Sequence, residues 1–151
     1  MHFMNIFFLS LIPIEIAHWS CDQHVVKIQL EICQMLYTAW HFSNEEHIIR
    51  ECAPFMKDGE TRGYKPAHKK HPMTMWIASS HENYLYACRI GIALTLEYTR
   101  RYGKVHTCAR HLMWLYMITN LHILKKGGVR QLIILKKASQ NVCQNNTGDQ
   151  V

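Results

Sequence analysis

The chain has 151 residues, a length that fits one domain. With 48% hydrophobic and 11% aromatic residues it has the means to bury a core, which excludes wholesale disorder. Seventeen Lys and Arg against eleven Asp and Glu leave a formal charge of +6, which favours polyanionic partners such as nucleic acid or acidic lipid and says nothing about fold.

The run Ile6 to Ile12 is apolar, but no Lys or Arg precedes it, and Pro13 and Glu15 interrupt it. It is too short to span a bilayer and lacks the basic flank of a secretion signal, so a buried strand or extended segment is expected. No other stretch approaches transmembrane length, and no membrane partner is expected.

The first periodic segment predicts a helix from about Ser20 to His41, with Ser20 or Asp22 as N-cap. At about 100° per residue, His24, Lys27, Glu31, Gln34, Thr38 and His41 fall within about one third of the circle. Val25, Val26, Ile28, Leu30, Ile32, Cys33, Met35, Leu36 and Trp40 take most of the rest. A helix that is apolar over so much of its circumference is largely enclosed, so its polar stripe faces either a solvent strip or a cleft.

Residues 43–72 read as a loop-rich connection, with a short helix over Glu45 to Cys52 and then Pro54, Gly59, Gly63, Pro66 and Pro72. Its end, Tyr64-Lys65-Pro66-Ala67-His68-Lys69-Lys70-His71-Pro72, is the most basic stretch of the chain. A further helix is expected from Met73 to Arg101 with a break at Ser79-Ser80, and Gly103 as its C-cap. Another follows from about Thr107 to Leu124, stopped by Gly127-Gly128. Val129 to Lys136 reads as a short strand or helix, and residues 139–151 as a polar, frayed tail beyond one helical domain over 1–138. The fold class is therefore all-α, a compact helical domain with a short extended segment at its start. Cys21, Cys33, Cys52, Cys88, Cys108 and Cys143 form no CxxC pair, and most lie in apolar runs. A reducing intracellular compartment, cytoplasm or nucleoid or nucleus, is expected.

Three constellations carry chemistry. Lys27 and Glu31, one turn apart, have the spacing of an ordinary solvated ion pair. Placed in a cleft, however, the carboxylate has the chemistry to move a proton or stabilise an oxocarbenium ion. The Tyr64–Pro72 run surrounds His68 and His71 with Lys65, Lys69 and Lys70. It reads as a basic surface loop or as a phosphate contact, with Tyr64 available to stack on a base. The His68 and His71 spacing suits a metal, but no second pair, HExxH or CxxC accompanies it, so neither metal nor other cofactor is expected. Glu82, Arg89, Glu97 and Arg100 share one side of their helix and read as structural ion pairs. Arg100, Arg101 and Lys104 put three cations at its end. His106, His111 and His122 read as packing or surface histidines.

Asp22-Gln23-His24, followed seven residues after His24 by Glu31, resembles the helix start of the pyrimidine-dimer DNA glycosylase family, also called endonuclease V. The run Gly63-Tyr64…His68…His71-Pro72 is similar to a segment of its bacterial relatives. Tyr84 to Gly103, with Glu97 before Arg100-Arg101-Tyr102, resembles the family's long helix and its basic-aromatic turn. The likeness spans roughly residues 5–105, about two thirds of the chain. It implies a compact helical fold with Glu31 as catalytic carboxylate, attack on the sugar by an amino-terminal amine, a Schiff base, and strand cleavage by elimination. The chain departs from that pattern in opening Met1-His2-Phe3-Met4-Asn5 rather than on a small second residue, and in carrying Leu30 where the family has a basic residue. After Leu112 no counterpart aligns.

The expected activity is excision of a damaged or modified pyrimidine from DNA. Glu31 would stabilise the sugar cation or move its proton, Lys27 or the terminal amine would be the nucleophile, and His24 would assist. Tyr64, Lys65, His68, His71, Arg100, Arg101 and Lys104 would hold DNA. The competing readings are a basic nucleic-acid-binding module without catalysis and a metal-dependent hydrolase using His24, Glu31, His68 and His71.

Overall fold

The structure is a computed structural model that describes residues 6–43 and 45–125, with side chains followed to residue 121. The described residues form six helices and no sheet. The expectations for Val129 to Lys136 and for the tail lie outside them, as does the side chain of His122.

Residues 6–12 are irregular rather than a buried strand. Ile6 is buried, but Phe7, Phe8, Leu9 and Leu11 are exposed. Pro13 does more than interrupt this run: it opens helix α1 (Pro13–Trp19), where its fixed φ and missing N–H suit the first helical turn. α1 turns Ile16 and Ala17 inward against the long fifth helix.

Helix α2 (Asp22–His41) begins two residues later than expected, on Cys21 with no side-chain cap, and runs without an interior Gly or Pro. α3 (His47–Cys52) is the short helix of the connection. After it the chain makes a tight excursion. Met56 N–H donates to Thr61 O (2.7 Å), Asp58 accepts from the amides of Glu60 and Thr61, and Gly63 N–H closes back on Pro54 O (3.1 Å).

The break expected near Ser79-Ser80 is a true division. α4 (Pro72–Ser79) ends there, and Ser80, extended at φ −152°, caps α5 (His81–Tyr102) by accepting from Asn83 N–H at 3.1 Å. Gly103, left-handed at φ 64°, closes α5 with its N–H on Thr99 O. α6 (Ala109–Lys125) completes the described chain.

α2 packs against α4, α5 and α6, while α5 also takes α1, α4 and α6. Met35, Leu36, Ile77, Ile90, Leu94, Leu112 and Leu115 meet between them with no more than 1% exposure, and each such side chain contributes on the order of 1.5–3 kcal/mol. Gly91 in α5 lets α6 come close: a Cβ there would stand 2.8 Å from Leu112 Cδ2. No helix among the described residues is long and apolar enough to cross a membrane.

Candidate functional site

The polar stripe of α2 is present, and it does not lie in bulk water. The Glu31 side chain is only 7% exposed, whereas that of Lys27, whose Nζ stands 3.4 Å from Glu31 Oε1, is 51% exposed. Thr38 is fully buried, while His24, Gln34 and His41 are half-buried. An ammonium at the surface thus stands over a carboxylate beneath it. The ordinary surface pair expected from this spacing would leave both in water.

The Tyr64–Pro72 run covers the carboxy-terminal half of the same stripe. Thr38 Oγ1 shares its proton between Gln34 O (2.8 Å), one turn back, and Ala67 O (3.0 Å), and accepts from Ala67 N–H at 3.1 Å. One hydroxyl therefore holds both polar groups of Ala67. It fixes the loop at a point about two turns of helix from Glu31. Lys65, His68, Lys69 and Lys70 project as exposed side chains from this anchored loop, with His68 at a positive φ of 49°. His71 serves the fold instead. Its Nδ1 accepts from Met73 N–H at 3.1 Å and caps α4, which holds the imidazole to the helix start.

Tyr64, expected to offer its ring to a base, faces inward. Its ring centroid lies 5.8 Å from that of Tyr37 and 5.3 Å from that of His111, with its hydroxyl 3.3 Å from Cys108 Sγ. Beneath it, the Tyr37 hydroxyl lies 2.7 Å from His111 Nδ1. Burial raises the Tyr37 phenol far above its ordinary range and lowers the His111 imidazole to about 4, with Arg110 adding to the latter. Both groups are therefore neutral, and one hydrogen joins the phenol oxygen to Nδ1. Cys108 is lowered to about 5 by a hydrogen bond from Cys33 and by those from His106 and Tyr64, against the opposing effect of burial. Cys21, Cys33, Cys88 and Cys108 are free thiols.

At the other end of α2, the His24 ring is covered by Phe7, parallel to within 7° at 4.2 Å between centroids. Arg101, at the end of α5, also reaches the start of α2, but it is committed internally. Arg101 donates to Glu97 Oε1 (2.6 Å), to Asp22 Oδ1 (2.8 Å) and to His18 O (3.0 Å), so it ties α5 to the junction of α1 and α2. Its side chain is 17% exposed, against 61% for Arg100, which also pairs with Glu97. The two guanidiniums, Arg100 first, hold the Glu97 carboxyl down at about 2. Arg100 and Lys104 remain at the surface.

The residues singled out in the sequence thus divide into two basic groups, the loop fastened near the end of α2 and the end of α5 fastened at its start. Asp22, tied to Arg101, and Thr38, tied to Ala67, are sixteen residues apart, roughly 24 Å at ~1.5 Å per residue, and Glu31 lies between them. The structure does not join His24, Glu31, His68 and His71 into a ligand set: among the described residues no three His, Cys, Asp or Glu side chains are grouped closely enough to hold a metal ion. Comparison with protein-family models, with curated proteins and with solved structures finds no match.

What sequence reasoning missed is the covering of His24 by Phe7 and the role of Thr38 as anchor. The signal for Thr38 was its place in the stripe. The contact with Ala67, 29 residues away, leaves no mark in periodicity. Chemically, the arrangement offers a sheltered carboxylate beside a cation at the surface. The conditions that free an amine for attack are burial or a second cation nearby, whereas Lys27 is half-exposed and paired with a carboxylate.

Proposed function

We propose that this protein is a DNA glycosylase that excises a damaged or modified pyrimidine, with Glu31 as the carboxylate that stabilises the cationic sugar or moves its proton. The observation that carries this reading is the position of Glu31. It is a buried carboxylate beside a cation, on a helix flanked at both ends by basic side chains. The span of roughly 24 Å between the two anchoring contacts corresponds to about seven phosphates of one strand at ~3.4 Å each. Lys65, His68, Lys69 and Lys70 would meet phosphates on one side of the scissile sugar, and Arg100 and Lys104 those on the other. The resemblance of Asp22-Gln23-His24…Glu31 to pyrimidine-dimer glycosylases supports the same role for Glu31.

In this reading Lys27 orients the Glu31 carboxylate and lies against the sugar–phosphate backbone, and His24, held by Phe7, lines the approach. A base inside a duplex is beyond reach of any of these groups, so the target nucleotide is extruded or already unpaired. The test is excision on a panel of oligonucleotides, each carrying one damaged pyrimidine. Glu31→Gln should lower the rate about 10²- to 10⁴-fold and leave DNA affinity nearly unchanged. Borohydride reduction during turnover asks whether a Schiff base forms. Excision by Glu31→Gln at the wild-type rate would end the assignment. Salt-steep binding without turnover on any substrate would leave a binding module in its place.

A further inference from the structure

Resting on the proposed function, the geometry points to a base-stacking platform formed by Phe8 with Trp76 and Tyr86, which makes unpaired nucleotides the preferred substrate of this site. Phe7 and Phe8 are neighbours on irregular backbone and face different elements. Phe7 lies on His24 of α2, while Phe8 meets Trp76 of α4 edge-on at 5.6 Å and runs parallel to Tyr86 of α5 at 6.2 Å. The segment is held at its far end as well, where the Tyr86 hydroxyl donates to Leu11 O at 3.1 Å. A pinned aromatic of this kind would ordinarily be a core residue, yet Phe8 keeps 48% of its surface in water.

The surroundings decide what it would take. Trp76 stands four residues, about 6 Å of helix, beyond Pro72, where the basic loop ends. On the other side, Phe7 and His24 lead along α2 to Lys27 and Glu31. An exposed aromatic joined through Trp76 to the helix that follows the lysine loop, and through its neighbour Phe7 to the helix that carries Lys27, matches the usual composition of single-strand sites, where cations follow the backbone and aromatic faces receive bases. An anionic lipid surface would also cover Phe8, Leu9 and Leu11 and would use the same basic loop; what favours a nucleic acid is the set of three aromatic rings in mutual contact, one pair of them parallel, which suits base stacking. Stacking requires a free base face, which a duplex supplies only after extrusion.

The experiment compares binding of fluorescein-labelled oligothymidylate with that of the matching adenine–thymine duplex, by anisotropy over a range of salt. The wild type should prefer the single strand. Phe8→Ala should weaken that binding about 5- to 100-fold, the loss of one stacked base, while leaving duplex affinity within about twofold. Phe8→Trp should restore it, and wild-type thermal unfolding of both variants would show the fold intact. Unchanged single-strand affinity in Phe8→Ala, in a protein whose Glu31-dependent excision persists, would overturn the platform and spare the glycosylase. Failure of the wild type to bind either nucleic acid would overturn both. Phe8-dependent binding to phosphatidylglycerol vesicles, with oligothymidylate binding unaltered, would instead assign the surface to a lipid headgroup layer and overturn the platform.

Discussion

Replacing Thr38 by Val removes one hydroxyl and almost nothing else, because the two side chains have nearly the same shape. The hydroxyl makes three hydrogen bonds, two of them to Ala67, and the residue has no exposure to solvent. Gln34 O is spared, since helical carbonyls already accept from the backbone. The loss falls on Ala67, whose amide and carbonyl are left without their partner in a half-buried position. An orphaned polar group of this kind costs about 1–3 kcal/mol, and partial access of water to Ala67 brings the sum to ~2 kcal/mol. For a domain of this size that corresponds to roughly 4–8 °C in Tm. Thr38→Ser keeps the hydroxyl and should lose far less. Hydrogen exchange at Ala67 measures the anchor directly and should speed up in the Val variant alone. Under the proposed function, the same variant should also lose affinity for duplex DNA at low salt, as Lys65, Lys69 and Lys70 are no longer held against α2. Wild-type exchange at Ala67 together with an unchanged Tm in Thr38→Val would refute the view that this hydroxyl fixes the loop.

Gly63 precedes the loop at φ +66°, and a Cβ there would stand 2.6 Å from Tyr37 Cε1 and 2.8 Å from Ile49 Cγ2. Left-handed strain and overpacking against a buried ring together make Gly63→Ala cost about 3 kcal/mol, measurable as a lower urea midpoint. His111 is held neutral down to about pH 4, while in the unfolded chain it protonates near 6.5. Its contribution is therefore fully present above pH 6.5 and is lost as the pH falls from there toward 4. His111→Gln, which keeps a polar group for Tyr37, should flatten the fall in Tm between about pH 7 and 4.5, and an unaltered slope would contradict the buried neutral imidazole.

Much of the helical plan was legible in the residues themselves. α2 declares itself by twenty positions without a breaker, the α4–α5 division by paired serines, and the end of α5 by Gly103 after two arginines. α1 was not legible, because seven residues are too few to show a period, and so short a helix depends on burying Ile16 and Ala17 against α5. In the site, the Lys27–Glu31 spacing and the basic loop were readable, as both are local. Whether Glu31 is sheltered, whether Arg101 is free, and whether Tyr64 faces out are settled by contacts across distant parts of the chain. Asp22 meets Arg101 and Tyr37 meets His111 at separations of 79 and 74 residues, and no local pattern anticipates either.

Gly91 carries no chemistry, yet several parts of the molecule depend on its missing side chain. A larger residue there would push Leu112 outward and tilt the start of α6, where Cys108 and His111 form the floor on which Tyr64 rests. Movement of that floor would reach the lysines through Tyr64 without disturbing any of them directly. In a saturation screen for folding stability, position 91 should therefore admit few residues larger than glycine, although it lies on the inner face of a helix that carries none of these lysines.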